Sequence, residues 1–259
     1  MSIEDAAARL RHAADTGVPC TPVRDLLGED AIDAAYAVQE LNLSRRIATG
    51  DRVIGRKIGL TSPAVQAQLG VNQPDYGTLL ASMEIADGGA LPTTALSQPK
   101  VEAEIAFVMD RALPHPDVTA HEAIAAIGFV VPALEIVGSR IAGWDITIVD
   151  TIADNASSSH VVLGSTPKRL TDVDVVTATM RMDLDGQTVS TGCGKDCLGS
   201  PVSALVWLAR TMAQRGTPLS AGDLILSGAL GPMQSIEAGG KIEAEISGLG
   251  SVLVNIETT

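Results

Sequence analysis

Val101-Glu102-Ala103-Glu104-Ile105-Ala106-Phe107-Val108-Met109 is the stretch at which the texture of this chain changes. Its first residues alternate apolar and acidic, the period of a strand. Glu102 and Glu104 therefore share one face, and Val101, Ala103 and Ile105 share the other. Upstream, the pattern is helical. Ser2 caps a helix running to about Thr16, with Glu4 and Asp5 near its positive end and Gly17 after it. A second helix spans 29–48, with Ile32, Tyr36, Leu43 and Ile47 on one face, Arg45 and Arg46 near its negative end, and Gly50 as the stop. Thr61-Ser62-Pro63 opens a short third helix with Val65 and Leu69 inward and Gly70 ending it.

Downstream, strands dominate. Thr119-Ala120-His121-Glu122 has the capping-box pattern of a helix reaching about residue 127. An apolar strand follows at 129–137. Segments 173–184 and 187–191 flank Asp185-Gly186, the dipeptide of a tight hairpin. Ser200-Pro201 starts a helix that ends near Arg215 and Gly216, and 223–227, 241–247 and 251–257 read as further strands. The expectation is an α+β protein: a helical N-terminal region over 1–80, then a mixed α+β domain over 81–259. Helices and strands do not alternate regularly, which counts against a doubly wound sheet or a β/α barrel.

Composition narrows the function. The chain has 259 residues, 46% of them hydrophobic, enough for a sizeable core. The net charge of −13 repels phosphate backbones and anionic lipid surfaces, so the expectation is no nucleic acid and no membrane partner. Aromatic residues are 2%, too few for a base-stacking or sugar-stacking platform. The apolar runs at 123–134 and 224–236 are interrupted by Gly or Pro and are too short to span a bilayer. The acidic start, Met1-Ser2-Ile3-Glu4-Asp5, does not resemble a secretory leader. Cys20, Cys193 and Cys197 have no zinc-ligand spacing and read as reduced thiols of a cytoplasmic protein.

Several segments carry chemistry-bearing residues. The Glu102 and Glu104 pair is, on spacing alone, an ordinary solvated strand face. Lys241-Ile242-Glu243-Ala244-Glu245-Ile246 repeats it almost letter for letter, and spacing does not choose between the two. Glu135 lies in an otherwise uncharged run, Phe129-Val130-Val131-Pro132-Ala133-Leu134-Glu135-Ile136-Val137, and a buried carboxylate needs a partner. That partner is either an Arg or Lys, or a cation shared with Glu102 and Glu104. Three carboxylates without His or Cys suit a hard ion, Mg²⁺ or Mn²⁺. Lys57 sits between glycines in Gly55-Arg56-Lys57-Ile58-Gly59, beside a strand end, and Asp75 reads as a turn residue in Gln73-Pro74-Asp75-Tyr76-Gly77. Asp154-Asn155-Ala156-Ser157-Ser158-Ser159-His160 reads as a capped, hydroxyl-rich loop. Gly228-Ala229-Leu230-Gly231-Pro232-Met233 follows a strand, is placed to wall a pocket, and matches no phosphate-binding fingerprint.

Taken in order, Gly55–Ser62, Gly70–Gly77, Val101–Phe107, Ala133–Ile136, Asp154–Ser158 and Ser227–Pro232 resemble the 2-keto-4-pentenoate hydratase (2-hydroxypenta-2,4-dienoate hydratase) family of the fumarylacetoacetate hydrolase superfamily. The resemblance implies a rolled mixed β-sheet domain preceded by helices. It implies Glu102, Glu104 and Glu135 as ligands of Mg²⁺ (or Mn²⁺), Lys57 and Asp75 as active-site residues, and Ser157 as a substrate contact. Glu243 and Glu245 then become a surface pair. Ser159-His160 departs from the Gly and apolar residues expected after the Asn-Ala-Ser-Ser run, which points to a different pocket shape. The implied reaction is metal-dependent addition of water to 2-hydroxypenta-2,4-dienoate or a longer-tailed analogue, in meta-cleavage degradation of aromatic or steroid rings. A homo-oligomer and a complex with a pathway aldolase or decarboxylase are implied as well. The sister activity, 2-oxo-3-hexenedioate (4-oxalocrotonate) decarboxylation, needs an extra cation for the second carboxylate, for which Arg56 and Arg140 are the candidates. A catalytically inactive partner subunit is the alternative of another class; the intact set of five residues speaks against it.

Overall fold

A computed structural model describes residues 2–62, 66 and 71–258. The chain opens with helices α1 (Ile3–Thr16), α2 (Arg24–Leu27) and α3 (Ile32–Ala48). Ser2 and Asp5 close a capping box at the start of α1, and Gly17 ends it in the left-handed conformation. The helix expected over 29–48 starts at Ile32, behind the separate short turn α2. Its buried residues are Ala35, Tyr36, Val38 and Gln39, whereas Ile47 is 44% exposed. The expected helix after Ser62, with Pro63, Val65, Leu69 and Gly70, falls mainly outside the described residues.

Strands begin earlier than the change of texture around Val101 suggested. After α3 come β1 (Val53–Gly59), β2 (Asp75–Leu80), β3 (Glu84–Ile85), β4 (Ala90–Pro92) and β5 (Pro99–Met109). Then follow α4 (Ala120–Ala126), β6 (Ile127–Gly138), α5 (Ile148–Ala153), β7 (Ser158–Leu163), β8 (Thr179–Leu184) and β9 (Gln187–Cys193). The chain closes with α6 (Pro201–Gln214), β10 (Leu224–Ala229), β11 (Gln234–Ser235), β12 (Gly240–Ile246) and β13 (Gly250–Glu257). The strand expected from 173 starts at Thr179. At the tip of the β8–β9 hairpin, Asp185 and Gly186 both take positive φ, as a type I′ turn demands.

Among the described residues, an eight-stranded mixed sheet runs β2-β1-β10-β5-β6-β7-β3, with β11 added to β5. A second, five-stranded sheet runs β4-β13-β12-β8-β9. The larger sheet recruits β1 and β2, so the helical region ends at Ala48 and not near 80. The reason is pairing: β1 lies parallel to β10, from the far end of the chain, and antiparallel to β2. One face of this sheet, with Ile58, Tyr76, Val101, Ala103, Ile105, Phe107, Leu134 and Ile136, joins the main core shared with the helices. The opposite face carries a smaller apolar cluster of Leu79, Leu80, Ala106, Val131, Ala133, Val161, Leu224 and Leu226. No helix among the described residues is long and apolar enough to cross a membrane.

Candidate metal centre and active site

The alternation of β5 puts Glu102 and Glu104 on the face of the smaller cluster, and antiparallel register sets Glu135 of β6 directly opposite Glu102. One carboxylate oxygen from each of the three lies within 4.8 Å of the others. Glu104 and Glu135 are fully buried. Glu104 Oε2 accepts a hydrogen bond from the Gly228 N–H at 2.7 Å, while Glu104 Oε1 and both Glu135 oxygens accept none. Burial pushes the Glu102 carboxyl up to about 7; Lys57 pulls it back and Glu135 and Asp75 push it further. Glu104 is held well above the usual carboxylate range by burial and by repulsion from Glu135 and Glu102. Orphaned buried oxygens and mutual repulsion are what a bound cation would relieve. An all-oxygen donor set fits a hard divalent ion. Gly228 takes φ of 105° and abuts Thr61, so a side chain there would be both strained and blocked.

Lys57 lies in β1 two residues before its end, as expected, and is 3% exposed. Its Nζ stands 3.2 Å from Glu135 Oε2 and donates to the Ala156 carbonyl at 3.0 Å. Burial disfavours the ammonium, but Glu135, Asp75, Glu102 and Glu104 more than offset it, so Lys57 stays charged above the usual lysine range. Asp75 was expected in a turn; it is the first residue of β2, paired with Gly59 of β1 and 1% exposed. A Cβ on Gly59 would collide with Asp75 Oδ1, so glycine makes room for the carboxylate. Burial pushes the Asp75 carboxyl up to about 6, against the attraction of Lys57; Glu135 adds to the rise, and the nearby Thr151 hydroxyl opposes it. Asp75 Oδ1 has no hydrogen-bond partner.

The segment expected to be a capped loop is a left-handed turn leading into β7. Asn155, Ala156 and Ser157 take φ of 56°, 50° and 57° in succession. Such strain persists where surroundings over-determine it. Here the Asn155 side chain accepts from Thr78 N at 2.8 Å and donates to Thr78 O at 2.9 Å, which turns the Ala156 carbonyl toward Lys57. Ser157 is buried, with Oγ 3.3 Å from Thr151 Oγ1. The structure therefore brings Lys57, Glu102, Glu104 and Glu135 together and sets Asp75 beside Lys57. Ser157 stands behind that lysine through its neighbour Ala156.

Neither arginine considered for a second substrate carboxylate faces this place freely. Arg140 pairs with Asp154 and donates to the carbonyls of Asp154 and Ser158. Arg56 alternates with Lys57 along β1 and so projects to the other face. Glu243 and Glu245 lie in the other sheet, beside Lys241 at 2.7 Å and Arg181 at 3.2 Å. Sequence reasoning missed Thr151 and Gln39. The only signal for Gln39 was its place three residues after Tyr36 on an inward helical face.

Residues 54–257 match the fumarylacetoacetate (FAA) hydrolase C-terminal family. A TodF product hydratase from Pseudomonas putida F1 is 55% identical over 251 residues, covering 97% of this chain and 94% of the relative. A 2-keto-4-pentenoate hydratase from Paraburkholderia xenovorans LB400 is 52% identical over 255 residues, covering 98% and 95%. Among solved structures, 4-oxalocrotonate decarboxylase from Pseudomonas putida G7, complexed with magnesium and adipate, superimposes with a TM-score of 0.93 at 33% identity, covering 99% of each chain.

Proposed function

The chain belongs to the 2-keto-4-pentenoate hydratase family of the fumarylacetoacetate hydrolase superfamily, and on that premise we propose that it adds water to 2-hydroxypenta-2,4-dienoate or a longer-tailed analogue, giving a 4-hydroxy-2-oxo acid in meta-cleavage degradation of aromatic or steroid rings. The observation that carries this reading is a buried group of three close carboxylates with unpartnered oxygens, flanked by Lys57 and Asp75. Glu102, Glu104 and Glu135 would hold a divalent ion, Mg²⁺ or Mn²⁺. Bound there, it supplies Lewis-acid polarisation of the 2-oxo acid.

The rest is the work of the side chains. The dienol gives up its C2 hydroxyl proton and gains one at C5; water then adds its oxygen at C4, and C3 takes the last proton. Asp75, with its carboxyl near 6, both gives and takes protons at neutral pH and has Oδ1 free to do so. Lys57 stays charged, so it offsets the substrate's negative charge and donates hydrogen bonds. Ser157, beside the Ala156 carbonyl, would be the substrate contact. Asp75→Asn should slow hydration by roughly 10²–10⁴-fold while Mg²⁺ affinity holds.

The 33% identical decarboxylase keeps a second reading in view, CO₂ release from 2-oxo-3-hexenedioate. The engagement of Arg140 and the placement of Arg56 on the opposite face of the sheet, away from the carboxylates, favour hydration. One experiment separates them: the protein with Mg²⁺ is given freshly generated 2-hydroxypenta-2,4-dienoate and, separately, 2-oxo-3-hexenedioate. Faster formation of 4-hydroxy-2-oxopentanoate supports the hydratase. Faster CO₂ release overturns it, and no turnover of either leaves an inactive partner subunit.

We also propose a cytoplasmic homo-oligomer, able to associate with a pathway aldolase or decarboxylase. Val53 and Phe129 stay 37% and 39% exposed at one end of the larger sheet, apolar surface of the kind subunit contacts cover. A stable monomer at micromolar concentration in sedimentation would contradict the oligomer.

A further inference from the structure

Gln39 is a polar side chain, 2% exposed, on the inward face of α3. Its Nε2 donates to two carbonyls in two different elements: Tyr76 O at 3.2 Å and Ile152 O at 2.9 Å. These carbonyls belong to the residues that directly follow Asp75 in β2 and Thr151 in α5. One amide thus spans the gap between the strand that presents Asp75 and the helix that presents Thr151. The Thr151 hydroxyl in turn lies 3.3 Å from Ser157 Oγ. The same helix grips β2 a second time. Tyr36 stacks on Tyr76 with ring centroids 4.4 Å apart, and the Arg215 guanidinium covers Tyr36 at 4.1 Å. The side of β2 turned away from the carboxylates is thereby clamped to α3 by a ring stack and a hydrogen bond, one residue from Asp75.

We propose that Gln39 is a positioning residue for hydration, its amide fixing the separation of Asp75 from Thr151 and hence the aim of the Asp75 carboxylate. This rests on the proton-transfer role given to Asp75 above. Gln39 touches neither the carboxylate group nor Lys57 in any hydrogen bond of this structure, so its effect is on orientation and not on metal or substrate binding. A near-attack geometry tolerates little displacement, because a shift of about 1 Å at a distance can cost up to about 10²-fold in rate.

The test compares steady-state hydration and Mg²⁺ calorimetry across five variants. Gln39→Met keeps the length and removes the donor; kcat should fall about tenfold, with KM and Mg²⁺ affinity unchanged. Thr151→Val removes the hydroxyl from a nearly identical shape and should lower kcat in the same way, while Thr151→Ser restores it. In an Asp75→Asn background, Gln39→Met should cost nothing further, since the group it aims is gone. A folded Gln39→Met enzyme with wild-type kcat overturns the proposal, as does an equal loss with and without Asp75. If Gln39→Met does not fold, Thr151→Val decides: wild-type kcat there overturns the proposal, and a loss restored by Thr151→Ser supports it. Asp75→Asn with full activity overturns the proton-transfer reading itself and the brace with it. Asp75→Asn without activity beside normal Gln39→Met overturns the brace alone.

Discussion

Two strands of this protein carry the same four letters, Glu-Ala-Glu-Ile, and have opposite fates. In β5 the two glutamates face a buried third, Glu135, across the ladder, with Lys57 on the next strand but one. In β12 they pair with Lys241 and Arg181, and their side chains are 43% and 63% exposed. Strand period decides only that the two carboxylates share a face. What lies across the ladder and over that face decides the chemistry. The β5 face looks onto the apolar cluster around Leu79, Val131 and Leu226, where an uncompensated charge is costly; the β12 face looks onto water. Exposed ion pairs such as Lys241–Glu243 add little stability, so the β12 pair can be altered freely.

The largest break in this comparison comes from Glu135→Gln, which removes the residue that β12 has no counterpart for. Turnover and Mg²⁺ affinity should both collapse, beyond the roughly 10–100-fold that losing a supporting hydrogen bond costs a metal site. Far-ultraviolet dichroism should stay native. Gly228→Ala should do less. It strains a left-handed backbone and presses on Thr61, tilting the N–H away from Glu104, and Mg²⁺ affinity should drop by roughly 10–100-fold in calorimetry.

The third contrast is with pH. The Glu102 carboxyl titrates near 7 and that of Asp75 near 6, both above their unfolded values. The folded protein therefore binds these protons more tightly than the unfolded chain. Their contribution to stability is fully present below the unfolded pKa and is lost as pH rises through about 6 to 7. Chelator-treated protein should melt lower at pH 8 than at pH 6, and Mg²⁺ should erase most of the difference. A melting temperature that rises with pH over this window would contradict the buried state of the trio.

Much of this was legible in the sequence because it is local. The capping box at Ser2, the Asp185-Gly186 turn and the alternation of β5 are each decided within a few residues. The Glu trio needed one long-range fact, the Glu102–Glu135 register, which family resemblance supplied and spacing did not. What stayed hidden depends on distant partners. The strand β1 exists because β10, 165 residues or more away in the chain, lies beside it, so residues 53–80 were counted with the helical N-terminal region although Lys57 already read as beside a strand end. Asp75 looked like a turn residue because Gln73-Pro74 precedes it, yet Gly59 receives it as a strand partner. Gln39 gave almost no signal, since a buried glutamine on a helix looks like any polar surface residue until both its carbonyl partners are in place.

The most direct test sets the two strands against each other in one assay. Glu104→Gln and Glu245→Gln are the same chemical change at the same place in the same motif. Measured side by side with Mg²⁺ and 2-hydroxypenta-2,4-dienoate, Glu104→Gln should lose nearly all hydration and Glu245→Gln should match the wild type. Loss in Glu245→Gln with activity retained in Glu104→Gln would place the metal centre on the wrong sheet and contradict the account.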